Sequence, residues 1–171
     1  DEGNLLRCVL DSADLSVYSG ENRFGGHYKD NNPHLSYDET RFISPQSPDC
    51  RRYFVYLPHD GSVVARVDLD ISEQNKAQYM IDLLNLNAPF LKAERARSFK
   101  EIIAEIDKLI DDGALDAMAN LAECELTLTE RQYPEIEKPA FPQLRAFHSA
   151  TLILFGTLGL NVIQQHCKEI E

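Results

Sequence analysis

The sequence has no Cys-x-x-Cys pair; its four cysteines, Cys8, Cys50, Cys124 and Cys167, lie far apart. That spacing excludes a self-contained zinc knuckle and offers no disulfide framework, so the reduced thiols of a cytoplasmic protein are expected. Positive charge is also scarce: 17 Lys and Arg stand against 28 Asp and Glu, a formal net charge of −11. Neither part of the chain is basic, with 7 basic against 12 acidic residues up to Asp70 and 10 against 16 beyond it. A protein that coats nucleic acid by electrostatics alone is thereby excluded. A nuclease is not, because a local basic strip and a metal ion can act inside an acidic envelope. Long apolar runs are missing as well. The longest, "ATLILFGTLGLNVI" at 150–163, contains two glycines and an Asn and is shorter than the ~20 residues a bilayer requires. It reads as a buried helix, and no membrane association is expected. The opening "DEGNLL" shows no basic n-region and no apolar h-region, so no export signal is expected.

What is present suits one domain with a real core, or a small module seated on a larger one: 171 residues, 43% hydrophobic and 26% charged. Two regimes follow one another. Residues 1–70 are rich in Gly, Pro, Asn, Asp and Ser. Within them "YFVYLPHDGSVVARV" carries two β-branched or aromatic runs, 53–57 and 62–67, joined through Asp60-Gly61, which predicts a β-hairpin. Residues 71–171 are helical in pattern. Ser72 is the expected N-cap of a helix with Ala77, Met80, Ile81 and Leu84 on one face. That helix should stop in "LNLNAP", where the residue before proline disfavours α geometry and Asn87 can cap the next helix. Over 89–112, Leu91, Arg95, Phe99, Ile102, Ile103, Ile106, Leu109 and Ile110 hold a three-and-four spacing that Gly113 ends. A further helix is expected over 115–125, and one or two more from about Gln143. The predicted fold is α+β, mainly α: a small, polar N-terminal part with a hairpin at 53–67, packed on a helical C-terminal body.

The polar segment "NRFGGHYKDNNPHLSYDETRFISPQSPDC", at 22–50, gathers glycines, a histidine, a lysine and amides beyond what a connector needs. A lone His in such a loop is usually a solvated turn residue. His34 and His59 sit next to prolines in loops, and His148 and His166 fall on helical patterns. The basic clusters are "DCRR" at 49–52 and "RAR" at 95–97; beside Asp49 and Glu94 they also read as surface ion pairs.

Four blocks in order carry a resemblance: "DEGNLLRCV", "GGHYKDNN", "RFISPQSPDCRRYFVYLPHDGSV" and "IDLLNLNAPFLKAERARSF". Together, over roughly residues 4–99, they resemble the HNH endonuclease family of Septu-type and retron-associated anti-phage systems. The resemblance implies a finger-like ββα-metal N-terminal part and metal-dependent hydrolysis of phosphodiesters. It implies Asn4 as the central Asn and His27 as the catalytic and metal-holding His. It implies Lys29, Arg51, Arg52, Arg95 and Arg97 as phosphate contacts. A divalent Mg or Mn ion is the implied cofactor; the family's structural zinc would need more ligands than Cys8 and His27, which alone cannot close a tetrahedral site. The implied partners are DNA (or tRNA and other RNA), an ATPase of the ABC or SMC type, and a retron reverse transcriptase with its RNA and DNA. The first His and a Cys pair of the family pattern would fall before Asp1. This chain also departs from that pattern in placing Cys8 four residues after Asn4, and Gly25-Gly26 where a Cys often stands. The competing expectation is a catalytically silent finger on a helical docking module.

Overall fold

The computed structural model describes residues 20–32, 34, 36–45, 47–128, 143–145 and 147–166. The fold is α+β and mainly helical, with a small antiparallel hairpin packed against helices. In chain order, helix α1 is Gly25–Asp30, strands β1 and β2 are Phe54–Tyr56 and Val63–Ala65, and helices α2 and α3 are Ile71–Leu83 and Pro89–Asp111. Helix α4, Met118–Leu126, runs into strand β3, Thr127–Leu128; strand β4, Gln143–Leu144, precedes helix α5, His148–His166. Short 3₁₀ turns at Gly20–Asn22, Glu39–Arg41, Pro48–Tyr53 and Leu115–Ala117 fill the connections.

The hairpin forms as the Asp60-Gly61 signal predicts. Phe54 faces Ala65, Val55 faces Val64 and Tyr56 faces Val63. Asp60 shapes the loop by accepting from the Ser62 amide at 3.0 Å and its hydroxyl at 2.7 Å. Lys92 of α3 reaches the same carboxylate at 2.7 Å. Together these contacts hold the Asp60 carboxyl well below the usual carboxylate range, the Lys92 bond contributing most. Gly61 is required twice over. Its φ is +71°, and a Cβ there would lie 2.0 Å from the Lys92 carbonyl oxygen and 2.7 Å from the Ala96 nitrogen. The hairpin tip therefore rests directly on the backbone of α3.

Helix starts differ from expectation. Asp70, not Ser72, caps α2 by accepting from the Glu73 amide at 2.8 Å, the geometry of a carboxylate three residues upstream of its donor. Asn87 does not cap α3. Its amide is used by the hairpin, and the Phe90 amide of α3's first turn instead donates to Asn22 at 3.1 Å, from 68 residues earlier. Helix α3 runs as its spacing predicts and buries Leu91, Arg95, Phe99 and Ile102; Gly113, at φ +67°, lies just past its end. Among the C-terminal elements the sequence left two strands unread: Thr127 faces Leu144 and Leu128 faces Gln143. Helix α5 breaks at Gly156, where φ is +53°.

Among the described residues the core is divided among three buried groups. One lies between α3, α4 and α5 (Ile102, Ala122, Leu126, Phe155, Val162, Ile163). A second joins Phe24 to Ala88 and Leu91, and a third joins Ile43 to Ala77 and Met80, with Tyr53, Phe54 and Ala65 packed against it. No described helix is long and apolar enough to cross a membrane. Gly61→Ala should cost about 2 kcal/mol or more, because backbone rather than a flexible side chain blocks the new methyl. Urea unfolding would show this as a lower midpoint at unchanged slope.

Candidate functional site

His27 lies on α1, a helix of six residues that propensity alone would not hold. Its support comes from outside. Phe24, just before the helix, is buried and stacks on Phe90 with ring centroids 6.5 Å apart and planes inclined by 19°. Gly25, at φ +63°, donates its amide to the Leu84 carbonyl at 2.7 Å. Asn85 then reaches across, its carboxamide donating to the carbonyls of Glu21 at 3.0 Å and Arg23 at 2.7 Å. Asn85 has φ +45°, a left-handed conformation that Asn tolerates better than other non-glycine residues.

At the other end of α1, Asn31 donates to the His27 carbonyl at 2.8 Å and approaches its Nδ1 at 3.4 Å. With the amide as donor, Nδ1 is the acceptor and the proton of a neutral ring sits on Nε2. The ring is half-buried. Two residues on, Lys29 pairs with Asp30 at 2.6 Å and sits 5.9 Å from the Tyr37 ring centre. The Asp30 carboxylate raises the Lys29 pKa, so this ammonium stays charged throughout the neutral range.

The arginines that the sequence predicts are engaged on other elements. Arg52 pairs with Glu73 and donates to the Tyr53 hydroxyl at 3.1 Å, its guanidinium 4.5 Å from that ring. Glu73 is in the first turn of α2, whereas α1 is bonded at Leu84, just past its end. At 1.5 Å per residue this separates the two anchor points by roughly 16 Å along the helix. Arg51 is half-buried near His148, whose pKa is lowered first by burial and then by the Arg51 charge. Arg97 is exposed on α3 between Glu94 at 2.7 Å and Glu101 at 3.1 Å, beside an open groove lined by Pro58, His59, Lys100 and Ile103.

Arg95 corrects the sequence expectation. It is 4% exposed and donates to the Gly61 carbonyl at 2.6 Å and to the Leu86 carbonyl. Burial lowers its pKa without bringing a guanidinium near neutrality. It is a brace between hairpin, α2 and α3, out of reach of a phosphate.

Asn4 and Cys8 lie outside the described residues. Among the described residues no three His, Cys, Asp or Glu side chains form a group able to hold a metal ion. The Cys50 thiol contacts the Pro45 carbonyl at 3.5 Å, and burial pushes its pKa up, which disfavours the thiolate a zinc ligand needs. The described residues therefore do not by themselves fit a resident zinc or divalent ion.

No protein-family model matches the chain. Over 66 residues, 39% of the chain, it is 36% identical to a protein of Vibrio cholerae serotype O1 biovar El Tor described as "Retron Vc95 putative HNH endonuclease". The similarity to that HNH endonuclease is distant and partial. It spans 32% of the relative's length.

Sequence reading did not single out Asn22, Asn85 and Asn87 as side chains with partners far along the chain. Asn87 alone holds both the amide and the carbonyl of Val63, at 2.8 and 2.9 Å. The available signal was the amide repeat in "LNLN", where two Asn flank a buried-type residue. Asn85→Ala should destabilise the fold by about 1–3 kcal/mol, since two carbonyls lose their donor and the left-handed turn loses its tolerant residue. Asn85→Gly should cost less, because it keeps the turn. Hydrogen exchange at the Gly25 amide should quicken in both variants, more so in the alanine one.

Proposed function

We propose that this chain is a metal-dependent HNH nuclease component of a retron-type anti-phage complex, cleaving nucleic-acid phosphodiesters under the control of a partner ATPase of the ABC or SMC type. The partial identity to the retron HNH endonuclease carries this reading. His27 supports it through its placement: a half-buried imidazole on a short helix clamped at both ends, as a catalytic group must be held. In this reading His27 acts together with Asn4 on the scissile phosphate. Water forms the new P–O bond and gives up a proton as the P–O bond to the leaving oxygen breaks; that oxygen keeps the electron pair and takes up a proton from solvent. The divalent ion, Mg or Mn, supplies charge stabilisation when bound. Lys29, Arg51, Arg52 and Arg97 serve as the phosphate contacts. DNA is the first substrate to test and tRNA the second; a retron reverse transcriptase with its RNA and DNA would complete the assembly.

A second reading is favoured by one observation: the described residues contain no metal-ligand group. On that reading the N-terminal part is a silent finger, and residues 71–171 are a docking module for a partner.

Incubating the full-length protein and its partner ATPase with plasmid DNA and with tRNA separates the two. The nuclease reading expects cleavage in Mg²⁺ or Mn²⁺ that EDTA abolishes. It expects His27→Ala to lower the rate by about 10²-fold or more at unchanged thermal stability. Absence of cleavage in every metal, with the partner bound, would leave the docking module.

A further inference from the structure

The geometry points to Arg23 as an additional phosphate-binding residue of this protein, taking a backbone phosphodiester oxygen of the nucleic acid; the inference rests on the nuclease reading above. Its Nε is the one buried side-chain nitrogen or oxygen among the described residues that has no hydrogen-bond partner. Buried N–H groups without acceptors are rare because each forfeits its hydration for nothing in return.

The charge balance makes this vacancy more pointed. Carboxylates are in large excess in this chain. Among the described residues Lys29, Arg52, Arg66, Lys92, Arg97 and Arg145 each hold one. Arg23 holds none, and it differs from the other described cations without a carboxylate in that its Nε is also buried and unpartnered. Nε and one Nη form the edge with which a guanidinium grips an oxyanion in bidentate fashion, and here the Nε half of that edge has no acceptor.

The main chain at Arg23 is fixed. Its carbonyl accepts from Asn85 at 2.7 Å, and its amide donates to the Gly20 carbonyl at 3.3 Å. The next residue, Phe24, is locked in the core, and His27 follows four positions on. The side chain thus pivots on a rigid base in the same segment as the candidate catalytic histidine. Turning Nε from its buried position onto a phosphate converts an unmade bond into a charge-assisted one. The free protein loses no hydrogen bond at Nε in that turn. An anion is therefore bound preferentially by the turned-out conformer, which is what a ligand-driven population shift requires.

The test is direct binding of labelled duplex DNA, single-stranded DNA and tRNA by the full-length protein in EDTA, followed by fluorescence anisotropy between 50 and 200 mM salt (concentrations of roughly the range in which counterion release is measured). Arg23→Gln should weaken binding about tenfold and reduce the slope of log affinity against log salt by about one. Arg23→Lys should keep the slope while losing part of the affinity. Both variants should melt within a degree or two of the parent, since no bond of Nε is removed. The nucleic acid on which the slope changes identifies the source of the phosphate. Arg23→Gln binding with parental affinity and slope overturns the assignment. So does a loss of binding that merely tracks a loss of thermal stability in both variants. A parent protein that cleaves normally alongside an unaffected Arg23→Gln variant overturns Arg23 alone; a parent that neither binds any of the three nucleic acids nor, with its partner ATPase and Mg²⁺ or Mn²⁺, cleaves one overturns the nuclease reading with it.

Discussion

The corner between α2 and α3, residues 84–87, is the constraint on which the rest of the structure depends. There the chain leaves one helix and enters the next within a few residues, and the polar groups the turn directs outward, the Leu84 and Leu86 carbonyls and the Asn85 and Asn87 side chains, are spent on other segments. The Leu84 carbonyl and the Asn85 carboxamide hold the stretch that leads into α1. Asn87 closes onto both main-chain groups of Val63, extending the hairpin's ladder with a side chain. The Leu86 carbonyl, together with that of Gly61, accepts the buried guanidinium of Arg95. Each such bond contributes about 0.5–1.5 kcal/mol net, but removing one partner strands a buried group at a cost of about 1–3 kcal/mol. A corner built this way is stabilised modestly when intact and penalised sharply when broken. That asymmetry gives the described residues, with their short sheets and divided core, a single arrangement of their parts.

The same corner explains why a six-residue helix bearing His27 can be rigid. Helix α1 has no side-chain N-cap and no buried residue of its own. Its order is borrowed from Phe24, Gly25 and the Asn85 clasp, all of which precede or flank it. Position and chemistry are thus supplied by different residues: the clasp determines where the imidazole is, and Asn31 biases which of its nitrogens carries the proton.

Much of the fold was legible in the sequence, and the failures share a cause. The hairpin was readable because Asp60-Gly61 is a local signal, and α3 because its apolar spacing runs for six turns. Ser72 was misread as a cap because any of several polar residues upstream of an apolar stripe can cap, and only geometry chose Asp70. Asn87 and Asn22 were opaque because their partners lie 24 and 68 residues away. Strands β3 and β4 contribute two residues each, too few for alternation to show. Arg95 is the instructive case. Its position in the three-and-four pattern marked it as inward-facing, while its residue type suggested a surface phosphate contact. The pattern was the better guide, since an arginine can be buried whenever backbone carbonyls accept its donors. For the candidate site, the sequence pointed to His27 but not to the scaffold that holds it, and Asn4 falls outside the described residues.

Magnitudes decide which of the basic residues can still meet a phosphate. Lys29, Arg52 and Arg97 are each engaged by a carboxylate, which at first sight removes them. Yet exposed ion pairs contribute little, because water screens them. Exchanging a carboxylate for a phosphate at the surface replaces one screened oxyanion by another, and pairing does not disqualify these side chains. Burial does. For Arg95 to reach a ligand, the hairpin tip would have to lift from α3 and two carbonyls would lose their donor, a loss on the scale of the fold itself. The surface pairs have a different consequence: they keep the exposed cations neutralised until a polyanion is already close. In a chain of net charge −11 this suppresses indiscriminate binding. Described cations without a carboxylate partner, Arg23 and Arg51 among them, then meet a polyanion first, and the paired ones exchange their carboxylate once it is close.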